Sequence, residues 1–239
     1  MERNFVAEMF EIKIKSISRF LPVLLLLFWA LPLSASEPSE ENRVMALAEK
    51  MDAAFKQVKD YTCDIEQIFF KDGVEDQRHH FTFYFKKKKK IRVDFSSPHS
   101  GMTVLYQGND EEITVIPLRF LPFIRFHYSI DNPKVRTPAG QRLDQSDIGY
   151  FIEFLLKNLK TVQQGEDEYR EEGSRITFQF WARDYTGGAS IEKYRLTLSK
   201  VNWFPIRIER NTREGKPIET DIVQNCRINT QLEDKLFVP

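Results

Sequence analysis

The feature that most constrains the fold of this chain is an alternation of apolar and polar residues with a period of two. It recurs in short runs between residues 61 and 228, such as FTFYF at 81–85. Successive side chains of a strand point to opposite faces, so each run predicts a strand with one buried face. Turns such as Lys71–Gly73 and Arg213–Lys216 join neighbouring runs directly. Strands joined by such short turns form an antiparallel sheet. The predicted strands include 61–66, 81–86, 91–95, 102–107, 112–116, 175–180, 194–198, 206–209 and 218–228.

Two segments have a helical period instead. In residues 44–58 apolar side chains recur every three or four positions, and Ser39 is a suitable N-cap. In Ser146–Leu159 (SDIGYFIEFLLKNL) the N-cap is predicted at Ser146, and apolar residues occupy most of the circumference. A helix that is apolar on most sides needs cover on most sides. The sequence therefore predicts an α+β fold in which both helices pack on the sheet.

The first residues have the pattern of a secretory signal peptide. An apolar run at 20–33 follows a start that contains four basic residues, and Ser34–Ser36 supplies small residues for cleavage. We predict cleavage after Ser36, which leaves a single domain at 37–239. The alternative is an N-terminal membrane anchor, for which a run of about fourteen residues is short.

Composition restricts the partners and the chemistry. The chain has 35 basic and 35 acidic residues, and this neutrality argues against nucleic acid as a partner. Its two cysteines, Cys63 and Cys226, predict one disulfide in an oxidising compartment, with two free buried thiols as the alternative. Each cysteine is in phase with apolar residues of its strand, so both side chains could point to the same side of the sheet.

Motifs for catalysis or metal binding are not found in the sequence. His79 and His80 are adjacent on a predicted strand, so they point to opposite faces and cannot chelate together, while His99 and His127 stand alone. There is no HExxH, GxSxG, CxxC or phosphate-loop motif. We expect no enzyme activity, no metal and no cofactor.

Two further segments are unusual. Lys86–Lys90 is a run of five lysines, which is either a solvated hairpin tip or a basic patch for a partner. Residues 118–128 (LRFLPFIRFHY) are strongly apolar, but Pro122 argues against a central strand and two arginines interrupt the segment. We interpret this segment as a rim, where arginine keeps its charge in water while its stem packs.

Several motifs together resemble the LolA-like superfamily of periplasmic lipoprotein carriers. They are VKDYTCDIEQ at 58–67, FTFYFKKKKKIRVDFSSP at 81–98, LYQGND at 105–110 and WFPIRIERNTREGKP at 203–217. The resemblance covers most of residues 43–235. The carrier itself normally lacks this cysteine pair, and residues 136–159 (RTPAGQRLDQSDIGYFIEFLLKNL) resemble another lineage of the superfamily more than the carrier.

The resemblance implies a curved antiparallel sheet that forms an incomplete β-barrel, with helices covering its concave face and a cavity for acyl chains between them. It also implies a periplasmic location. The expected function is the binding of lipid or lipoprotein acyl chains by a monomeric carrier, with a membrane protein as donor or acceptor. The alternative is an envelope sensor or regulatory module that binds a membrane protein. The sequence does not indicate the cargo.

Phenylalanine, of which the chain has 20, is suited to line such a cavity because its side chain is large and has no polar group to satisfy. The alternative for each of these residues is an ordinary core position. The predicted cavity residues are Phe81, Phe83, Phe85, Val93, Phe95, Phe120, Phe123, Phe126, Tyr150, Phe151, Phe154, Leu155, Phe178 and Phe180.

Overall fold

The computed structural model describes residues 40–108, 111–158 and 169–239. The predicted signal peptide and the positions Ser39 and Leu159 lie outside these residues. The described part of the chain contains two α-helices and eleven strands. The helices are α1 (Glu40–Lys56) and α2 (Ile148–Asn158). The strands are β1 (Asp60–Lys71), β2 (Val74–Lys86), β3 (Lys90–Ser97), β4 (Thr103–Tyr106), β5 (Glu112–Ile116), β6 (Phe126–Ser129), β7 (Arg170–Glu172), β8 (Arg175–Arg183), β9 (Ile191–Ser199), β10 (Pro205–Asn211) and β11 (Pro217–Ile228).

All eleven strands form one open antiparallel sheet in the order β6-β5-β4-β3-β2-β1-β11-β10-β9-β8-β7. The chain therefore builds two meanders, β1–β6 and β7–β11, which meet where β1 pairs with β11. The predicted α+β fold with an incomplete barrel is confirmed. The two edge strands, β6 and β7, are short and were not among the predicted strands.

The predicted disulfide between Cys63 and Cys226 is confirmed, and it lies at this junction of the two meanders. The register there changes between Thr62 and Asp64, so that Cys63 faces two residues of β11. One of these is Asn225, whose positive φ of 52° is typical of a β-bulge. Its Nδ2 donates to Asp64 Oδ2 at 2.9 Å. The bulge brings Cys226 opposite Cys63 on the same face of the sheet.

Both helices pack on the concave face over β8 and β9, where they form a closed core. The core residues are Val44, Leu47, Ala48, Met51, Phe151, Ile152, Phe154, Leu155, Ile176, Phe178, Phe180, Ala182, Tyr185, Tyr194, Leu196 and Leu198. The helices approach closely at Gly149, where a Cβ would lie 2.5 Å from Phe55 Cε1. The N-cap of α2 is Asp147 rather than the predicted Ser146, because Asp147 Oδ1 accepts from Tyr150 N whereas Ser146 Oγ donates to Leu143 O.

A second core lies over β1–β5, which the helices leave largely uncovered. Its buried residues are Val58, Tyr61, Cys63, Phe83, Phe85, Ile91, Val93, Tyr106, Ile113, Ile130 and Phe204. Residues 130–147, which we call the covering segment, pack on it through Ile130, Val135 and Leu143. The segment is held by its own polar contacts, among them Arg142 Nη1 to Asp131 Oδ1 at 2.9 Å and Gln141 Nε2 to Gln145 O at 2.9 Å.

The lysine run forms the β2–β3 turn, as the hairpin interpretation predicts, with positive φ at Lys88 and Lys89. Lys86 Nζ donates to Leu232 O at 2.8 Å, and Lys87 Nζ donates to Lys56 O at 2.6 Å at the end of α1. The turn is therefore tied to the rest of the molecule. Within the described residues, no helix is both long enough and apolar enough to span a membrane.

Candidate functional site

A cavity of about 340 Å³ lies between the covering segment and the concave face of the sheet. This volume is within the range of small-molecule sites. Its apolar floor is supplied by the sheet residues Tyr61, Cys63, Ile65, Phe81, Phe83, Val93, Phe95, Val104, Val115, Tyr128 and Val223. Its apolar cover is supplied by Val135, Pro138, Leu143, Ile148 and Phe151. The cavity therefore has apolar walls on two sides.

The floor is built from a cross-strand row. Phe83 pairs with Val93, Val93 with Val104, Val104 with Val115, and Val115 with Phe126 on the edge strand β6. Directly paired residues of adjacent strands point to the same face. The row therefore runs from the middle of the sheet to its edge.

Five of the predicted cavity residues line this cavity: Phe81, Phe83, Val93, Phe95 and Phe151. Phe85 is buried in the second core, and Phe154, Leu155, Phe178 and Phe180 are buried in the first core. Tyr150 packs against the first core and donates its hydroxyl proton to Tyr185 O at 3.2 Å. The predicted set is thus divided between the cavity and the two cores, and its members on β8 are buried in one cluster with residues of α1 and α2.

The predicted rim residues Phe120, Phe123 and Phe126 are exposed and do not line the cavity. They belong to the β5–β6 loop, residues 117–125, and to the first residue of β6. Two backbone hydrogen bonds, Leu121 N to Leu118 O and Ile124 N to Leu121 O, fold this loop on itself. All three phenyl rings are thus exposed, and Phe126, which pairs with Val115, ends the floor row at the edge of the sheet beyond the cavity lining.

One margin of the cavity is polar, at Gln67 and Asp221, which are paired across β1 and β11. They adjoin a row of buried charges that crosses the concave face. Gln67 Nε2 donates to Glu219 Oε1 at 2.7 Å, and Arg210 Nη1 donates to Glu219 Oε2 at 2.6 Å. Arg210 Nε also donates to Glu192 Oε2 at 3.1 Å. The alternating pattern of the strands did not reveal this row.

Asp221 is the carboxyl group of this margin that faces the cavity. Its Oδ1 is buried and has no hydrogen-bond partner. Burial, reinforced by the charge of Glu219, raises the pKa of Asp221 well above its usual range. Burial likewise raises the pKa of Glu219, although Arg210 and Gln67 act in the opposite direction. The Asp221 carboxyl group, which has no cation in direct contact among the described residues, is therefore the one at this margin for which burial favours the neutral form.

A second buried carboxyl group, that of Asp147, lines the cavity at the start of α2. Its Oδ1 caps the helix, while its Oδ2 is buried and without a partner. Burial raises the pKa of Asp147. The adjacent Ile148 N donates to the hydroxyl oxygen of the buried Tyr61 at 3.1 Å, which ties the helix to the cavity floor.

Sequence reasoning missed the two histidines of the cavity. His79 and His99 both line it, with ring centroids 6.0 Å apart, and both contact Phe95 edge-to-face. Burial, together with the neighbouring His99, lowers the pKa of His79. A neutral imidazole is compatible with the apolar surroundings. Among the described residues there is no cluster of His, Cys, Asp and Glu that could hold a metal ion.

The chain is similar to known proteins in structure but matches none of those compared by sequence. No protein-family model matches the chain, and no curated protein matches its sequence. Among solved structures, the chain is similar to a LolA superfamily protein from Nitrosomonas europaea, with 13% identity, a TM-score of 0.42 and coverage of 82% of this chain and 97% of that one. It is similar to the lipoprotein LppX from Mycobacterium tuberculosis, with 10% identity, a TM-score of 0.49 and coverage of 80% and 98%. It is also similar to the MucA/MucB complex from Pseudomonas aeruginosa, with 9% identity, a TM-score of 0.40 and coverage of 82% and 61%.

These likenesses concern the fold alone. The described residues have the architecture that the sequence motifs implied, an open antiparallel sheet with helices on its concave face. The architecture that the resemblance implied is confirmed in these residues.

Proposed function

We propose that the protein binds lipid or lipoprotein acyl chains in the cavity beneath the covering segment, as an exported, periplasmic carrier. The observation that carries this proposal is the apolar lining of the cavity on both the sheet and the cover. Several lining residues, among them Phe81, Phe95 and Val104, are only partly buried although they belong to a hydrophobic cluster. An alkyl chain in the cavity would remove this surface from water, which is favourable in proportion to the area covered.

The proposal is tested with a fluorescent fatty acid and the delipidated protein. Val104→Phe would place a larger side chain in the middle of the floor row and reduce the space for a ligand. The matched control is Ile222→Phe, because Ile222 alternates with the cavity residues Asp221 and Val223 and so points to the opposite face of the sheet. We expect micromolar binding by the wild type and the control, and a loss of at least about tenfold for Val104→Phe.

An absence of binding by the delipidated wild type at micromolar probe concentration would contradict the proposal. Unchanged binding by Val104→Phe would show that the probe occupies another surface, and equal loss in both variants would show that the effect is not specific to the cavity. Circular dichroism and thermal unfolding of both variants establish that each retains its fold.

The regulatory alternative remains a prediction with a separate test. A carrier releases its ligand to an acceptor membrane, whereas a regulatory module holds a stable complex with one membrane protein. Transfer of the bound probe to acceptor vesicles, followed over time, distinguishes the two.

A further inference from the structure

The β5–β6 loop exposes more apolar surface than a soluble protein ordinarily leaves in water. Phe120 and Phe123 are each 75% exposed, and Phe126 is 50% exposed at the start of β6. Leu118 and Ile124 are also exposed, so five large apolar side chains lie within nine residues. The other exposed large apolar residues of the described chain, such as Val74 and Val201, are isolated. Single exposed apolar residues are common, but a contiguous patch marks an interaction surface.

The loop presents these side chains in a defined arrangement. Besides its two backbone turns, it is fixed by Arg125 Nε, which donates to Pro122 O at 2.8 Å. Its base is attached to the β3–β4 connection, since Arg119 N donates to Gly101 O at 2.7 Å. These hydrogen bonds hold the backbone of the loop in one arrangement, so less backbone entropy is lost when the loop binds a partner.

The charges of the loop indicate the kind of partner that this surface binds. Residues 117–126 contain Arg119 and Arg125 and no acidic residue. Arg119 is exposed and lies 3.6 Å from Asp94 Oδ2, a carboxylate that also accepts from Arg92 Nε at 3.0 Å. A surface that combines exposed phenyl rings with arginines matches the interface of an anionic membrane, where rings enter the acyl boundary and cations approach phosphate groups.

We propose that the β5–β6 loop, residues 117–125 together with Phe126, docks the protein onto an anionic phospholipid surface. This proposal stands independently of ligand binding in the cavity. The loop also lies close to the cavity. It joins β5 and β6, and Val115 and Tyr128 on these two strands line the cavity. Docking through the loop would place this end of the cavity next to the bilayer.

The test measures sedimentation with vesicles of phosphatidylglycerol and phosphatidylcholine, compared with vesicles of phosphatidylcholine alone. The test variant is Phe120→Ser with Phe123→Ser, which removes two exposed rings and no core contact. The matched control is Val201→Ser, because Val201 is 83% exposed in the β9–β10 turn. The protein is used as purified after export, and each variant is compared with the wild type of the same chain, so that any contribution of residues 20–33 is common to all.

We expect the wild type and Val201→Ser to bind the anionic vesicles equally, and the double phenylalanine variant to bind at least about tenfold more weakly. Replacing Arg119 and Arg125 by serine should weaken binding to anionic vesicles by roughly tenfold or more, while replacing both by lysine should preserve most of it. Binding should also weaken as the salt concentration rises.

Failure of the wild type to bind anionic vesicles would overturn the proposal, as would binding that the loop variants leave unchanged. Sedimentation velocity measures whether the protein forms a dimer through the loop. A dimer that dissociates on Phe120→Ser with Phe123→Ser, without vesicle binding by the wild type, would overturn membrane docking and assign the loop to contact between two copies of the chain.

Discussion

Cys63 and Cys226 are bonded across β1 and β11, the pair of strands through which the two meanders of the sheet meet, with Cα atoms 4.2 Å apart. The residues are separated by 163 positions in the chain. The bond therefore closes a loop that includes most of the described protein. In the chain-entropy account, such a crosslink restricts the unfolded chain much more than the folded one.

We predict that replacing both cysteines by alanine lowers the free energy of unfolding by about 2–5 kcal/mol. The measurement is chemical denaturation with and without a reducing agent. The reducing agent should destabilise the wild type by a similar amount and leave the double variant unchanged. Two free thiols in the unfolded, unreduced wild type would contradict the disulfide itself.

Gly149 allows α2 to lie against α1, and its replacement tests how tightly the two helices pack. A Cβ at this position would lie 2.5 Å from Phe55 Cε1 and 2.8 Å from Asp147 Oδ1. Alanine is intrinsically better than glycine in a helix by about 1 kcal/mol, but overpacking in a core costs about 1–3 kcal/mol. We predict that Gly149→Ala is destabilising in thermal unfolding.

A double-mutant cycle identifies the cause. Phe55→Leu removes part of the ring that the new methyl group meets, so Gly149→Ala should cost less in that background than in the wild type. Equal costs in the two backgrounds would exclude a clash with Phe55. The strain would then lie at Asp147, the N-cap of α2.

The raised pKa of Asp221 predicts a specific dependence of stability on pH. The charged groups that act on its carboxyl group are Glu219, which raises the pKa, and Arg210, which lowers it, and burial is the largest influence. Since the pKa is higher in the folded chain, the contribution of this group to stability is complete below about pH 3.9, the ordinary value for Asp. That contribution is lost as the pH rises through the folded value.

Asp221→Asn removes the ionisation and should therefore raise the free energy of unfolding at neutral pH while leaving it nearly unchanged near pH 4. The measurement is urea denaturation at several pH values. Asp76→Asn, on the exposed part of β2, is the control and should have little effect at any pH. If Asp221→Asn were less stable than the wild type at neutral pH, the ionised carboxylate of Asp221 would be stabilising the folded protein, which contradicts the prediction.

The strands and the disulfide could be predicted from the sequence because both depend on local pattern. Alternation in β2, β3, β8 and β9 fixes which side chains share a face, and the phase of Cys63 and Cys226 places them together. Short-range periodicity does not show what lies above a face. Phe81 and Phe178 occur in similar runs, yet Phe81 lines the cavity and Phe178 is fully buried beneath the helices.

The cover of the cavity could not be predicted for a related reason. Residues 130–147 are polar, contain two prolines and have no helical or strand period. Their position depends on long-range contacts, among them the packing of Ile130, Val135 and Leu143 on the second core. The β5–β6 loop was expected at the rim because of its apolar composition, but composition alone does not separate a lining residue from an exposed one.

Arg210 is the single cation in the buried row described beside the cavity, and its removal tests how the row is held. The guanidinium contacts Glu219 at 2.6 Å, Asp184 at 3.0 Å and Glu192 at 3.1 Å, and it lies over the ring of Tyr185. Breaking a buried ion pair by removing one partner leaves an uncompensated charge and costs about 3–5 kcal/mol. We predict a loss of this size for Arg210→Met at neutral pH, measured by chemical denaturation.

The matched control is Arg207→Met on the same strand. Arg207 points to the opposite face and forms a partly exposed pair with Glu209 at 2.8 Å, so its removal should cost no more than about 1 kcal/mol. The loss in the free energy of unfolding caused by Arg210→Met should become smaller as the pH falls. Protonation then removes the repulsion among the carboxylates that have lost their cation. A deficit that persists unchanged at acid pH would show that Arg210 acts through the packing of its stem and its contact with Tyr185 rather than through its charge.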